Sequence, residues 1–414
     1  MSRAPLLHVL GAGPWQLPTI RHARALGCRV LVTDGLADRP GFGLADLHAV
    51  ADLTDAEATL AVARRHAVDG VLCDTTDTGV LTAAIVADAL GLPGVGVDAA
   101  RRCTDKARMT EAAAAAGLPT PATRLAASAE DARAAVRAMA GPWVIKPVDA
   151  QAGKGVGLVA DAADADDAIA HAFAHSRSRR VIVQQRLSGP EVIVDALVVD
   201  GQPRVLGVAG KTPYPDHPAV SSRITYPPDP DLAPWPLVEA TLGALVRALG
   251  IRCSLVHAEF IVGDGRLVPI DVAARGGGVM IYPTVLGHLT GADVMTAAIR
   301  IALGCYPGLP DRPAGPPGRA ANIEFLRAPA GVLRRVDGLD EARRQPGVAA
   351  VHLNLLPGDS AGDLRHKDRR LGYVVTLADS AAAAVAAGER AAALIGVDVD
   401  AFAGAAPQLL GSTS

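Results

Sequence analysis

Val144-Ile145-Lys146-Pro147-Val148-Asp149-Ala150-Gln151-Ala152-Gly153-Lys154-Gly155-Val156-Gly157 joins an apolar strand that carries a lysine to a glycine-rich turn with a second lysine at its tip. Lysine is among the residues least often buried without a partner, so Lys146 needs a reason to be there. Gly153, Gly155 and Gly157 let backbone N–H groups come close to a polyanion, and Lys154 adds a mobile positive charge. No Gly-Lys-Ser/Thr opens a helix, and Val156-Gly157-Leu158-Val159 returns as a strand. The geometry expected is therefore a hairpin flap rather than a Walker loop. An ordinary flexible turn would account for the glycines and leave Lys146 unexplained.

The rarity of lysine sharpens this. Of 40 basic residues only five are lysine: Lys106, Lys146, Lys154, Lys211 and Lys367. Where arginine is the default cation, a retained ammonium fits a task that a guanidinium fork does not, such as pointing one compact charge into a phosphate cage. The wider composition bounds the rest. The chain has 414 residues, 50% hydrophobic, 3% aromatic and 20% charged, which predicts two to four domains with aliphatic cores. A net charge of −3 argues against a protein that coats nucleic acid. Five dispersed cysteines without a CxxC pair predict reduced thiols and a cytoplasmic setting, not a disulfide scaffold or zinc site. No apolar run approaches the roughly 18–20 residues of a membrane span, and the apolar start Pro5–Leu10 is short for a secretory signal.

Strand and helix signals alternate over the first hundred residues: strand Leu6–Gly11, helix Pro14–Leu26, strand Arg29–Asp34, helix Asp55–His66, strand Gly70–Asp74, helix Leu81–Leu90. That order predicts a parallel, doubly wound sheet. Gly11-Ala12-Gly13, with Asp34 about twenty residues on, resembles half of a dinucleotide fingerprint. Gln16 stands where the third glycine belongs, so a tight strand–helix turn explains the motif better than nicotinamide binding. Cys73-Asp74-Thr75-Thr76-Asp77 ends a strand toward the same crevice, where helix capping competes with ligand binding. Gly117–Pro121 reads as a linker, Ser128 with Asp131 as a helix start, and Trp143–Ala160 and Val181–Gly207 as hairpins. Lys211–His217 and Ser221–Arg223 read as a polar loop, and Pro307–Gly318 as a boundary before a C-terminal α+β piece.

Glu259 and Asp271 lie on the two strands around Gly263-Asp264-Gly265. A three-residue loop at Asp264–Arg266 places the two carboxylates opposite one another, with Cβ atoms about 4.5–5.5 Å apart. Two like charges that close call for a cation between them, and Mg²⁺ suits a pair of carboxylates plus phosphate oxygens. Asp271, Ala273 and Arg275 share a strand face, so Arg275 is the expected catalytic partner of a transferring phosphoryl group. Gly276-Gly277-Gly278 offers further backbone donors.

In this order and spacing the motifs resemble the ATP-grasp superfamily, and within it the carboxylate–amine ligases of the L-amino-acid ligase type. The resemblance implies an α/β and α+β fold: a Rossmann-like pre-grasp domain over 1–102, an ATP-grasp domain over 103–306 with a mobile lid near 119–185, and a C-terminal α+β segment over 307–414 beside the active site. Lys106, in Thr104-Asp105-Lys106 with Met109, and Lys146 match its phosphate-binding lysines. Gln151, Gly153 and Gly155 match its flap, Gln184, Gln185 and Leu187 the hinge that receives adenine, Glu191 the ribose acid, and Lys211 a further nucleotide contact. Lys154, Arg275 and Gly277 are implied as catalytic, and Glu259 and Asp271 as metal ligands. ATP with Mg²⁺ is the implied cofactor set, with Mn²⁺ as a substitute ion. The partners are a small carboxylate and an amine, amino acids first; nucleic acid and membrane are not expected, and a homodimer is left open.

Two departures stand out: Gln184-Gln185 where the hinge commonly has a glutamate, and Ala273 where an asparagine metal ligand is usual. His257, across from Ala273, is the residue expected to orient a water on the second Mg²⁺. The implied reaction forms an amide or peptide bond through an acyl phosphate and releases ADP and phosphate. A bicarbonate-activating carboxylase, a carbamoyl-phosphate-type enzyme, or a nucleotide-binding protein without turnover are the alternatives; an NAD oxidoreductase would leave the lysines and acids without a task.

Overall fold

Parallel pairing needs strands buried on both faces, and the N-terminal segment supplies them: β1 (Leu6–Leu10) is buried at every position. With β2 (Arg29–Asp34), β3 (Leu47–Val50) and β4 (Gly70–Leu72) it forms a parallel sheet of order β3-β2-β1-β4. The computed structural model describes residues 3–307, 319–364 and 367–402. The first helix runs Leu17–Ala25, so Pro14 precedes it rather than opening it. The glycine turn before it is closed on itself. The Asp34 carboxylate accepts from Ala12 N–H at 2.9 Å, and Gln16 Oε1 accepts from Gly13 N–H at 3.1 Å. The acid and donors that a dinucleotide would use are thus occupied by one another and by the Gln16 side chain.

A small antiparallel sheet follows, of order β5-β8-β6-β7, from β5 (Thr123–Ala126), β6 (Trp143–Pro147), β7 (Gly157–Val159) and β8 (Val181–Gln185). Two helices, Ala129–Ala138 and Ala165–His175, cover it and enclose a separate core that includes Trp143, Ile145, Ile169 and Val183. Ser128 caps the first of these through Asp131 N–H, as its sequence position predicts. The Trp143–Ala160 hairpin is present as β6–β7. Val181–Gly207 is not a hairpin: β8 stays in the small sheet, while β9 (Glu191–Val199) enters the large one and pairs with β10 (Gln202–Tyr214).

β10 and β11 (His217–Tyr226) form a second hairpin, so Lys211–Arg223 is a β-ribbon and not a loop. The large sheet has order β13-β12-β9-β10-β11-β14-β18-β16, with β12 (Ser254–Gly263), β13 (Arg266–Ala273), β14 (Ala320–Leu326), β16 (Val348–Leu353) and β18 (Gly372–Ala378). A final small sheet joins β15 (Gly331–Asp337), β17 (Ser360–Ala361) and β19 (Gly396–Asp400). The C-terminal segment therefore extends the large sheet through β11–β14 pairing. The Pro307–Gly318 boundary falls, beyond Pro307, outside the described residues.

The β12–β13 turn corrects one expectation and keeps its consequence. The loop is the two-residue Asp264-Gly265, with φ of 49° and 68°, which is what a tight primed hairpin turn requires. A bulge between Glu259 and Phe260 then shifts the register by one, and Glu259 pairs with Asp271 after all.

Candidate active site

The small sheet, the large sheet and the C-terminal segment enclose a cavity of about 340 Å³, within the range of small-ligand sites. All five lysines of the chain line it, whereas Arg186 is the single arginine among the described lining residues. Each lysine arrives from a different element. Asp105 caps the helix Lys106–Ala115 through Ala107 and Arg108 N–H, which sets Lys106 at its first turn. Lys106 Nζ donates to Ala150 O at 2.9 Å and lies 3.4 Å from Asp271 Oδ1. Lys146 reaches across from β6 and donates to Ile270 O at 3.1 Å. Only 8% of it is exposed, and burial pulls its ammonium down to about 8 although Asp271 opposes the shift.

Lys211 on β10 faces Glu191 on β9 in direct register and is ion-paired with it, and its Nζ lies 3.3 Å from Glu259 Oε1. Burial and the nearby Glu259 charge raise the Glu191 carboxyl against the pull of Lys211. Burial acts to raise Glu259 too, but the Lys211 and Lys367 ammoniums beside it outweigh that and hold it well below the usual carboxylate range. Lys154 at the flap tip pairs with Asp368 at 2.7 Å. The acids and lysines thus neutralise one another inside one wall.

Gln184, Gln185, Leu187 and Glu191 line the same cavity, next to the apolar Val144, Leu158, Ile261 and Ile270. The Gln184 amide donates to Thr123 Oγ1 at 2.9 Å. Of the flap, Ala152, Gly153, Lys154 and Val156 reach the cavity. Gly155 does not line it; a side chain there would stand 2.7 Å from Pro147 Cγ, so packing of the small sheet requires this glycine. Gln151 does not line the cavity either, and its side-chain amide oxygen Oε1 accepts from Asp77 N–H at 3.2 Å. Among the described residues no three His, Cys, Asp or Glu side chains form a metal-holding group. A divalent ion here would rest on Glu259 and Asp271 together with oxygens of its ligand. These hard donors, already balanced by ammonium charge, fit Mg²⁺ or Mn²⁺.

The sequence model of the ATP-grasp domain matches residues 139–282, and that of the L-amino acid ligase C-terminal domain 2 matches residues 324–400. The chain carries an ATP-grasp domain and, after it, a C-terminal domain of the L-amino acid ligase type. The Sinorhizobium fredii protein y4rH is 29% identical over 302 residues, 71% of this chain and 60% of that protein. A formate-dependent phosphoribosylglycinamide formyltransferase of a Synechococcus strain is 34% identical over 186 residues, 43% of this chain and 46% of the relative. The chain thus spans about half to three fifths of the length of these relatives. The crystal structure of an L-amino acid ligase from Bacillus licheniformis superposes with a TM-score of 0.81 at 22% identity, covering 97% of this chain and all of that one.

Within this ATP-grasp fold, Arg275 lies off the cavity wall. Its Nε and Nη2 donate to the two Asp77 carboxylate oxygens at 2.7 and 2.9 Å, and Nη1 donates to Gly276 O at 2.8 Å. The pair ties the glycine run after β13 to the N-terminal domain, as does Gly276 N–H donating to Asp74 O at 2.6 Å. A Cβ on Gly277 would lie 2.9 Å from His257 Nδ1. His257 pairs with Ala273 in register, and its Nδ1 is 2.7 Å from Asp195, which also accepts from Tyr226 O–H at 2.5 Å. Asp195 and Tyr226 are almost fully buried, so this chain of hydrogen bonds fixes the imidazole with Nε2 3.9 Å from Glu259. Asp195, Tyr226 and Asp368 have no signal in the sequence, because each is defined by a partner 31 to more than 200 residues away, and Asp77, read as a crevice or capping residue, holds Arg275 instead. Lys367 carried a signal, its membership of the rare lysines. No described helix is long and apolar enough to cross a membrane, and all five cysteines are free.

Proposed function

We propose that this ATP-grasp protein is an ATP-dependent carboxylate–amine ligase. It joins amino-acid-like substrates into an amide through an acyl phosphate and releases ADP and phosphate. The observation that carries the reading is the convergence of every lysine in an arginine-rich chain on one cavity, beside an opposed carboxylate pair. Three anionic phosphates and a carboxylate repel one another, so most of the barrier to phosphoryl transfer is electrostatic. Lys106, Lys146 and Lys154 bind the phosphates, and Lys211 fixes Glu191 and Glu259. Gln184, Gln185 and Leu187, with the apolar wall, take the base. A divalent ion held by Glu259 and Asp271 would supply further charge neutralisation.

The flap covers the reacting group and excludes water, which would otherwise hydrolyse the acyl phosphate. In this reading the carboxylate and amine meet beside the glycine run Gly276–Gly278, which is next to His257 and the Arg275–Asp77 pair. The L-amino acid ligase likeness of residues 324–400 supports amino acids over bicarbonate as the acid. The test is product analysis of purified protein with Mg·ATP, with and without mixed amino acids. ADP and phosphate released only with amino acids are expected. AMP and pyrophosphate would rule out the acyl-phosphate route, and nucleotide binding without turnover on any acid would rule out the ligase.

A further inference from the structure

Lys367 belongs to the short turn Lys367–Arg369, far along the chain from the ATP-grasp domain, yet its Nζ lies 3.2 Å from Glu259 Oε1. Lys211 approaches the same oxygen at 3.3 Å. Lys211 is shared between Glu191 and Glu259, so Glu259 keeps an ammonium beside it when Lys367 moves away. The turn is held firmly against the flap. Lys367 N–H donates to Ala152 O at 3.0 Å, Asp368 holds Lys154 at 2.7 Å, and the bare Cα of Gly153 leaves room beside Lys367 Cγ. On its far side Arg370 is 4% exposed, stacks on Phe325 with its guanidinium carbon 3.5 Å from the ring centroid, and donates to Ser221 O at 2.5 Å. The turn is therefore a fixed part of the cavity wall, and the Lys367 side chain keeps 28% of its surface open.

We propose that Lys367 completes the nucleotide site from the C-terminal segment by binding the terminal phosphoryl group of a nucleoside triphosphate. Moving there takes one of the two ammoniums off Glu259 Oε1, which would leave that oxygen more open to a divalent ion. No covalent bond changes in this step: an ammonium leaves a carboxylate for a phosphate oxygen. The inference rests on the nucleotide reading of the cavity, and it makes the C-terminal segment a contributor to ATP binding as well as a neighbour of the substrate.

The experiment is calorimetry on the full chain with Mg²⁺, comparing the non-hydrolysable imido analogue of ATP, ADP and AMP. Loss of one charge-assisted contact predicts that K367A binds the ATP analogue about ten- to a hundredfold more weakly. ADP affinity should move by less than about threefold on the same scale, since it lacks the terminal group. K367R, which keeps the charge, should recover most of the loss, and thermal unfolding of each variant confirms its fold. Equal binding of the analogue by K367A and wild type would overturn the proposal, as would equal loss of ADP and analogue. A wild-type protein that binds neither nucleotide would instead overturn the nucleotide reading, and this inference with it.

Discussion

Replacing Lys146 by methionine gives a direct measure of what the cavity does to a buried cation. Burial brings its ammonium from 10.5 to about 8, a penalty of roughly 3 kcal/mol on the charged form. The sign follows from linkage. The folded pKa lies below the unfolded one, so the penalty on stability is complete below about pH 8 and fades as pH climbs toward 10.5. A bound triphosphate reverses the local field and restores the proton. At pH 9 the free site is about nine-tenths neutral, so binding should take up about 0.9 proton from this residue. Above pH 8 the affinity should fall by up to about tenfold per pH unit. Calorimetry of the ATP analogue in buffers of different ionisation enthalpy reads the uptake directly. Wild-type uptake near zero at pH 9, or the same uptake in K146M, would refute the reasoning.

Four further outcomes are expected. R275M strands the Asp77 carboxylate in a domain interface and should cost about 3 kcal/mol in urea unfolding; the double variant R275M/D77L should recover much of it. G277A pushes a methyl to 2.9 Å from His257 Nδ1, so steady-state turnover should fall at least tenfold while affinity for the ATP analogue holds, a loss of about 1.4 kcal/mol or more in the transition state. E259Q and D271N each remove a carboxylate from the acidic pair, and Mn²⁺ binding with the ATP analogue, read by electron paramagnetic resonance, should weaken about tenfold or more for each. G155A adds a Cβ at φ +72° and 2.7 Å from Pro147, and hydrogen exchange should show the small sheet loosened by about 2 kcal/mol.

Local chemistry made part of this legible in the sequence. Strand–helix alternation, the Ser128 cap, the β6–β7 flap and the Glu259–Asp271 opposition all depend on residues close in sequence or one hairpin apart. The last was reached through a wrong loop length and a bulge that neither Asp264 nor Phe260 announces by residue type. Val181–Gly207 misled for a different reason: β8 and β9 are consecutive and apolar, and nothing in either strand says that they enter different sheets. Arg275 was aimed at the cavity by strand alternation, but alternation cannot foresee Asp77 arriving 198 residues earlier in the chain to take its guanidinium. Lys367 and Asp368 depend in the same way on the fold bringing residues 152–154 to them.

The pairing of β11 with β14 has a bearing on how such chains can be recombined. The ATP-grasp and C-terminal sequence models meet no seam in the large sheet; its hydrogen-bond ladder runs through the place where a modular view would cut. Grafting the C-terminal segment of a relative onto this chain amounts to replacing the inner neighbour of Arg223–Tyr226, not swapping an appendage. A graft that preserves the Arg223–Glu324 and Thr225–Asn322 register should fold as one unit, and one that ignores it leaves β11 as a raw edge open to other chains. Substrate preference carried by that segment is then inherited together with a strand of the core.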